Sequence, residues 1–383
     1  MSPVGRRSWC ALAAALTAAA VVVAVPAGQA PKAAPPAKKN PLLKLVEPWP
    51  APEQLQRRRI DAEARPLFTS DVPLEITLAA DFKAVNKDHD PNSRARYPGE
   101  LRVDAGGRAI KIPVKLSARG HVRRMARTCN YVPLRVEFPK EDVATTVFAH
   151  QSALKLVVQC AGGGEYEQYL LREFLAYRIF NVLTNRSFRA RLVKVTYAEP
   201  ESGKTSGPRY GMFLEDDGDV AKRMEGRIVE LPRLLFSDVD MDSLMPMMVF
   251  QYMIGNTDFS IFALHNVRIV QRPDKSLHPV PYDFDYSGLV NAPYATPARG
   301  LMLKSVIDRY YRGPCRRQEQ VDPILANFIA KKDPVIALPA QVPGLDRTSR
   351  DTAKSYLDEF YRSIANAKDA KRLFVTCPDR STM

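Results

Sequence analysis

At Gly162-Gly163-Gly164 the hydrophobic period of the chain changes. Before it, apolar residues alternate with polar ones, as in half-buried strands. Leu74-Glu75-Ile76-Thr77-Leu78 shows the pattern, and residues 101–103, 110–112, 114–116, 133–138 and 154–158 extend it. Gly106-Gly107 between two of these runs reads as a hairpin turn. After the glycines, Leu171, Leu175, Ile179 and Val182 recur at three- and four-residue steps, which predicts an amphipathic helix over residues 165–183. Strands follow at 191–197 and 210–214, a helix at 241–254, two short strands at 266–271 and 278–284, and a closing helix at 352–365. Ser349 or Asp351 is the expected cap of that last helix. Met247, Met248, Phe250 and Met253 read as core packing. The expected fold class is α+β, with a β-rich N-terminal part over residues 67–215 and a mixed helical part over 216–383.

The first residues carry a different signal. Arg6 and Arg7 precede seventeen uncharged residues, 9–25, and then Pro26-Ala27-Gly28. This is the layout of a secretory signal over residues 1–27; left uncleaved, it is a membrane anchor. The run is short for a transmembrane helix, which needs about 20 apolar residues. Residues 28–66, rich in Pro, Ala, Lys and Arg, read as a spacer. The protein is therefore expected to be exported, to a periplasmic, envelope or extracellular location. Ten basic and four acidic groups in residues 1–66 account for +6 of the net charge of +14. The diffuse remainder favours anionic partners and points to no nucleic-acid interface. Beyond Cys10 in the leader, four cysteines remain, Cys129, Cys160, Cys315 and Cys377. They allow three pairings. Chain order favours Cys129 with Cys160 and Cys315 with Cys377. No CxxC or His/Cys cluster suggests zinc, no Walker or GxGxxG motif is present, and no GxSxG elbow supports a hydrolase.

The densest polar signal lies between Gly255 and Gly288. Gly255-Asn256-Thr257-Asp258 ends a helix; Asn266 follows eight residues after Asp258; Tyr282-Asp283-Phe284-Asp285-Tyr286-Ser287-Gly288 comes one hairpin later. Phosphoryl transfer uses these residue types: one carboxylate to orient a hydroxyl and take its proton, a second carboxylate and an amide oxygen to hold magnesium. Asp258 is the expected catalytic carboxylate, and Asp283, Asp285 and Asn266 the expected metal ligands. His265 beside Asn266 is expected to orient the loop.

The chain resembles the spore-coat CotH-like family of atypical protein kinases. Tyr282-Asp283-Phe284-Asp285 resembles that family's Trp-Asp-x-Asp, and residues 255–258 resemble the Gly-Asn-Thr-Asp loop of HipA-type kinases. Arg119-Gly120, the strand at 131–138, Leu170-Leu171-Arg172 with Leu175-Ala176-Tyr177, and residues 210–215 match further family segments in order. His121-Val122-Arg123-Arg124 stands where the family has Asn-Ser, and residues 296–383 have no counterpart. The resemblance implies a two-lobed, protein-kinase-like fold and phosphate transfer from ATP to a protein hydroxyl with Mg²⁺ or Mn²⁺. Under it Lys155 reaches the phosphates, Glu173 is its acidic partner and Arg119 binds a phosphate. A non-catalytic kinase-like envelope binding protein is the alternative, and a metal-dependent phosphohydrolase using the same aspartates a third. The acceptor, the envelope partner and the oligomeric state are not specified by the sequence.

Overall fold

Seven strands with one apolar face each cannot bury those faces as an open sheet, and here they curl into a closed barrel. The computed structural model describes residues 43–104 and 107–377, so the leader and anchor readings lie outside the described residues. In chain order the elements begin with helices α1 (Leu43–Val46) and α2 (Pro52–Glu63), strand β1 (Leu74–Ala80), helix α3 (Phe82–Lys87) and strands β2 (Tyr97–Asp104), β3 (Ala109–Ala118), β4 (Leu134–Glu137) and β5 (Ala153–Val158). Helix α4 (Gly164–Leu183) and strands β6 (Ala190–Ala198) and β7 (Arg209–Leu214) follow. The barrel order is β1-β2-β3-β4-β5-β7-β6. Every pairing is antiparallel except the closing one, where β1 lies parallel to β6 with Leu74 opposite Val193. Leu78, Leu101, Ile112, Leu116, Val136, Leu156, Val193 and Phe213 fill the interior with no exposed surface. The runs 110–112 and 114–116 prove to be one ten-residue strand, β3, continuous through Pro113.

The remaining elements are α5 (Asp217–Arg223), β8 (Arg227–Val229), α6 (Met241–Met253), β9 (Val267–Gln271), β10 (Leu277–Pro281), α7 (Gln318–Ala330), α8 (Lys332–Gln341), α9 (Arg347–Ala365) and α10 (Ala367–Lys371). Strands β10-β9-β8 form a separate three-stranded sheet. A second core joins α4, α6 and the last helices, with Phe180 stacked on Phe250 at 4.3 Å. Helix α4 is apolar on almost every side because it is covered by barrel and helices alike. Met245, Met247, Met248 and Met253 of α6 are core, the last three as their spacing implied. Asp346, not Ser349 or Asp351, caps α9, accepting from the Ser349 N–H at 2.6 Å.

The spacer reading of residues 28–66 fails from Leu43 onward. Helix α2 buries Leu55 and Ala62, and packs on α5. Arg65 binds Asp219 through two hydrogen bonds of 3.0 and 3.3 Å, and Arg189 donates to the Ala62 and Glu63 carbonyls. Two anchors seven residues apart make too sparse a stripe to read as amphipathic, so cations from distant elements do the tethering. Both expected disulfides are present, Cys129–Cys160 and Cys315–Cys377. Among the described residues, no helix is long and apolar enough to cross a membrane.

Candidate functional site

Helix α6 ends at Met253 with Ile254 as its C-cap, and Gly255 turns the chain at φ +64°. A left-handed turn there favours glycine. A Cβ on Gly255 would also overlap the Tyr356 hydroxyl. Asn256, 1% exposed, shapes the next step: its Nδ2 donates to Gln251 Oε1 at 2.9 Å and its Oδ1 accepts from the Asp258 N–H at 2.9 Å. Arg312 grips the loop from the other side, donating to the Thr257 and Phe259 carbonyls at 2.5 and 2.7 Å. Asp258 is thus delivered by a loop held at four points.

The eight-residue step from Asp258 to Asn266 is spanned by a small loop closed by a Ser260–His265 bridge. It returns Asn266 to Asp258. Asn266 Nδ2 donates to Asp258 Oδ2 at 3.0 Å and to the Asp258 carbonyl at 2.8 Å. His265 Nε2 lies 3.0 Å from Asp258 Oδ1. His265 is thus tied to the loop both by this contact and by its bridge to Ser260. Its hydrogen bond to Asp258 raises its pKa, helped by the Asp258 and Asp283 charges and opposed by partial burial.

The β9–β10 hairpin then brings the second acidic segment to the same place. The Tyr282 N–H donates to the Asn266 carbonyl at 3.0 Å, and the Gly288 and Leu289 N–H groups donate to the Gly255 and Ile254 carbonyls at 3.1 and 3.0 Å. Gly288 admits this approach because a side chain there would meet the Val306 carbonyl at 2.5 Å. Asp283 sits at φ +65° and Asn266 at φ +53°. Asp and Asn tolerate this region better than most residues, yet two such positions side by side mark stored strain. The Asp283 N–H is met by the Tyr177 hydroxyl of α4 at 2.9 Å. Asp258 and Asn266 are thus hydrogen-bonded to each other, and Asp283 follows Tyr282, whose N–H is tied to the Asn266 carbonyl. The charges of Asp258 and Asp283 both act on His265 and Asp285.

Behind it lies a buried charge cluster. Glu173, one turn before Tyr177 on α4, is 1% exposed, and its Oε1 has no hydrogen-bond partner among the described residues. Burial, then the Asp285 and Asp283 charges, push its pKa far above the ordinary carboxylate range. Asp285 is pushed up to about 7 by burial and by Asp283. Arg123 answers them: burial disfavours its charge, but Tyr294, Asp285, Glu173 and Asp283 outweigh that and hold its pKa above the ordinary value. A cavity of about 10 Å³ touches Arg123, Glu173 and Tyr294, which is about the room of one water.

Lys155 lies elsewhere in the site. It projects from the outer face of β5, and its Nζ is 2.6 Å from Asp217 Oδ1 at the start of α5. Arg268 Nε binds the other oxygen of Asp217 at 2.7 Å. Lys155 and Arg268 both stand over the Tyr282 ring, at 4.9 and 4.7 Å. Burial, then Arg119 and Arg268, lower the Lys155 pKa against the pull of Asp217. The expected Lys155–Glu173 pair is therefore corrected: Asp217 partners Lys155, and Arg123 is the cation facing Glu173. Arg119, in the turn that Gly120 makes at φ +85°, acts electrostatically on both Lys155 and Glu173. Its side chain makes no hydrogen bond or ion pair among the described residues.

Arg123, Asp217, Arg268, Tyr177 and Tyr294 were missed from sequence. The available signals were the acidic run Glu215-Asp216-Asp217 after a strand and the Arg123-Arg124 pair. Among the described residues, no three His, Cys, Asp or Glu side chains gather closely enough to hold a metal ion by themselves. Compared with known proteins, the chain matches no family model and no curated protein.

Proposed function

We propose that the chain is an atypical kinase of the CotH-like kind, two-lobed like protein kinases, that moves a phosphoryl group from ATP to a protein hydroxyl. The observation that carries this reading is the hydrogen-bonded pair Asp258–Asn266, with the chain at Tyr282, next to Asp283, tied to the Asn266 carbonyl. Asp258 accepts the proton of the attacking hydroxyl; the new P–O bond forms to that oxygen, the bond to the β-phosphate breaks, and ADP leaves. His265 and Asn266 hold both Asp258 oxygens in place. Arg119, without an ion partner among the described residues, supplies a guanidinium for a phosphate. Lys155 and Arg268 add positive charge beside Tyr282.

The donor set fits magnesium or manganese. Magnesium is usually held by one or two carboxylates plus substrate phosphates, not by an all-protein cage, which agrees with the lack of a self-sufficient ligand trio. Asp283, Asp285 and Asn266 Oδ1 offer hard oxygen atoms; burial first, and neighbouring carboxylate charges second, raise the pKa values of Asp285 and Glu173. When bound, the cation would neutralise phosphate charge in the transition state.

One observation favours the alternative of a non-catalytic binding protein: Lys155 is already engaged by Asp217 at 2.6 Å. Thermal unfolding with ATP and Mn²⁺ separates the two. At about 100 times Kd, ATP stabilises by about 2.7 kcal/mol. The kinase reading expects that gain in the native chain and its loss in Asp283→Asn, which keeps the left-handed tolerance of Asp283. No gain in either chain overturns nucleotide binding. Release of phosphate from simple esters without ATP overturns the kinase reading in favour of hydrolysis.

A further inference from the structure

A cavity of about 670 Å³ opens at one mouth of the barrel, and none of Asp258, Asp283, Lys155 or Arg119 lines it. Its size falls within the roughly 300–1,000 Å³ of small-molecule sites. We propose that this mouth binds a neutral, polyhydroxylated ligand of oligosaccharide type. The walls are aromatic and amide in character. Phe82, on α3, meets Tyr197, on β6, edge to face at 5.0 Å, and Tyr131 stands beside them 39% exposed. Flat rings of this kind stack on the C–H faces of sugar rings while the phenol oxygens reach hydroxyls. Asn86 and Gln159 add amide groups; Gln159 is 7% exposed, and its Oε1 lacks a hydrogen-bond partner among the described residues. The β6–β7 connection contributes Ser202, Thr205 and Ser206 to the rim.

Other chemistries fit less well. The floor is Val132, Leu134 and Val158, and beneath it the barrel is filled by side chains with no exposed surface. An acyl chain has no channel to enter. The rim charges do not make an anion site: Glu199 opposes Lys204, and Arg209 faces Glu167 at 3.7 Å. A nucleotide or phosphate therefore has no concentrated positive field here. Gln159 also borders the small cavity beside Glu173 and Arg123, so a ligand at the mouth sits one side chain away from the buried charge cluster.

The experiment is saturation-transfer NMR and calorimetry on the full chain with maltose, cellobiose and N,N′-diacetylchitobiose, each as the disaccharide and as a longer soluble oligomer. Binding of at least one is expected, weakened about tenfold or more by Tyr131→Ala, with ATP–Mn²⁺ binding unchanged. Lys204→Trp, on the exposed connection, is expected to obstruct the mouth and weaken the same ligand without unfolding the chain. A tighter oligomer identifies a polymer chain as the natural source and an equal one a free sugar; both support the site. The proposal is overturned if no sugar binds at about 10 mM, a concentration that detects even millimolar affinity. Binding that neither variant weakens overturns it equally, as does displacement of the sugar by laurate or by ADP.

Discussion

Substituting Gly255 by alanine tests whether the two acidic loops are held by close backbone approach. A side chain at φ +64° costs about 1 kcal/mol on its own. The new Cβ also displaces the Tyr356 hydroxyl, which donates to the Ile307 carbonyl at 3.0 Å. That bond is worth about 1 kcal/mol. Moving the ring also disturbs Arg309, stacked on it at 3.7 Å, at a cost of about 0.5–1 kcal/mol. Gly255→Ala should therefore destabilise by about 3 kcal/mol. Tyr356→Phe alone removes only the hydroxyl, about 1 kcal/mol. In the double variant the nearest ring atom, Cζ, lies 3.3 Å from the new Cβ, so the ring and its Arg309 partner stay. The double variant should lose about 2 kcal/mol, less than Gly255→Ala alone, a coupling near 2 kcal/mol. Urea unfolding of the four chains, disulfides intact, measures this. Additive losses, within about 0.5 kcal/mol, would refute the idea that the hydroxyl and the glycine compete for one space.

Two further outcomes concern protons. His265 should titrate above its ordinary value of 6.5 by NMR, and fall back toward it in Asp258→Asn. Because the folded state raises that pKa, the bond's contribution is full below about pH 6.5 and is lost as pH rises through the folded value; an unchanged midpoint in Asp258→Asn would sink the orienting role. Asp285 moves stability in the same direction for the opposite reason. Its folded-state pKa, pushed up from 3.8 to about 7, makes the folded chain bind the extra proton, so stability falls as pH rises between those values. The melting temperature of Asp285→Asn should lack that decline, and Mn²⁺ should stabilise the native chain more at pH 8 than at pH 5; equal manganese shifts at both would count against a cation beside Asp285.

How legible this was in the sequence depended on distance along the chain. Asp258 and Asn266, which are hydrogen-bonded, lie with Asp283 within one helix–loop–hairpin, so local turn chemistry alone was enough to expect them near one another. Even the long Asp258–Asn266 step is local, closed by the Ser260–His265 bridge. Asp217, by contrast, reaches Lys155 from 62 positions away, and Arg65 reaches Asp219 from 154. No periodicity encodes such pairs. Lys155 and Glu173 were linked by the strand-then-helix order, but that order does not say toward which end of the helix a strand residue points. The strands themselves were readable from alternation; their closure was not, because β1 pairs with β6 across more than a hundred residues.

That closure shapes how the protein meets its neighbours. An open sheet offers unpaired amides along its border, a template onto which another chain can dock strand to strand. By pairing β1 with β6 in parallel, the barrel satisfies the flanks of its first and sixth strands against each other. Crowded copies of this molecule therefore find no long ladder to extend where β1 and β6 meet. The cost is kinetic: Leu74–Ala80 must wait for Ala190–Ala198 to be made before its second flank is covered, so the nascent chain is most prone to self-association in that interval.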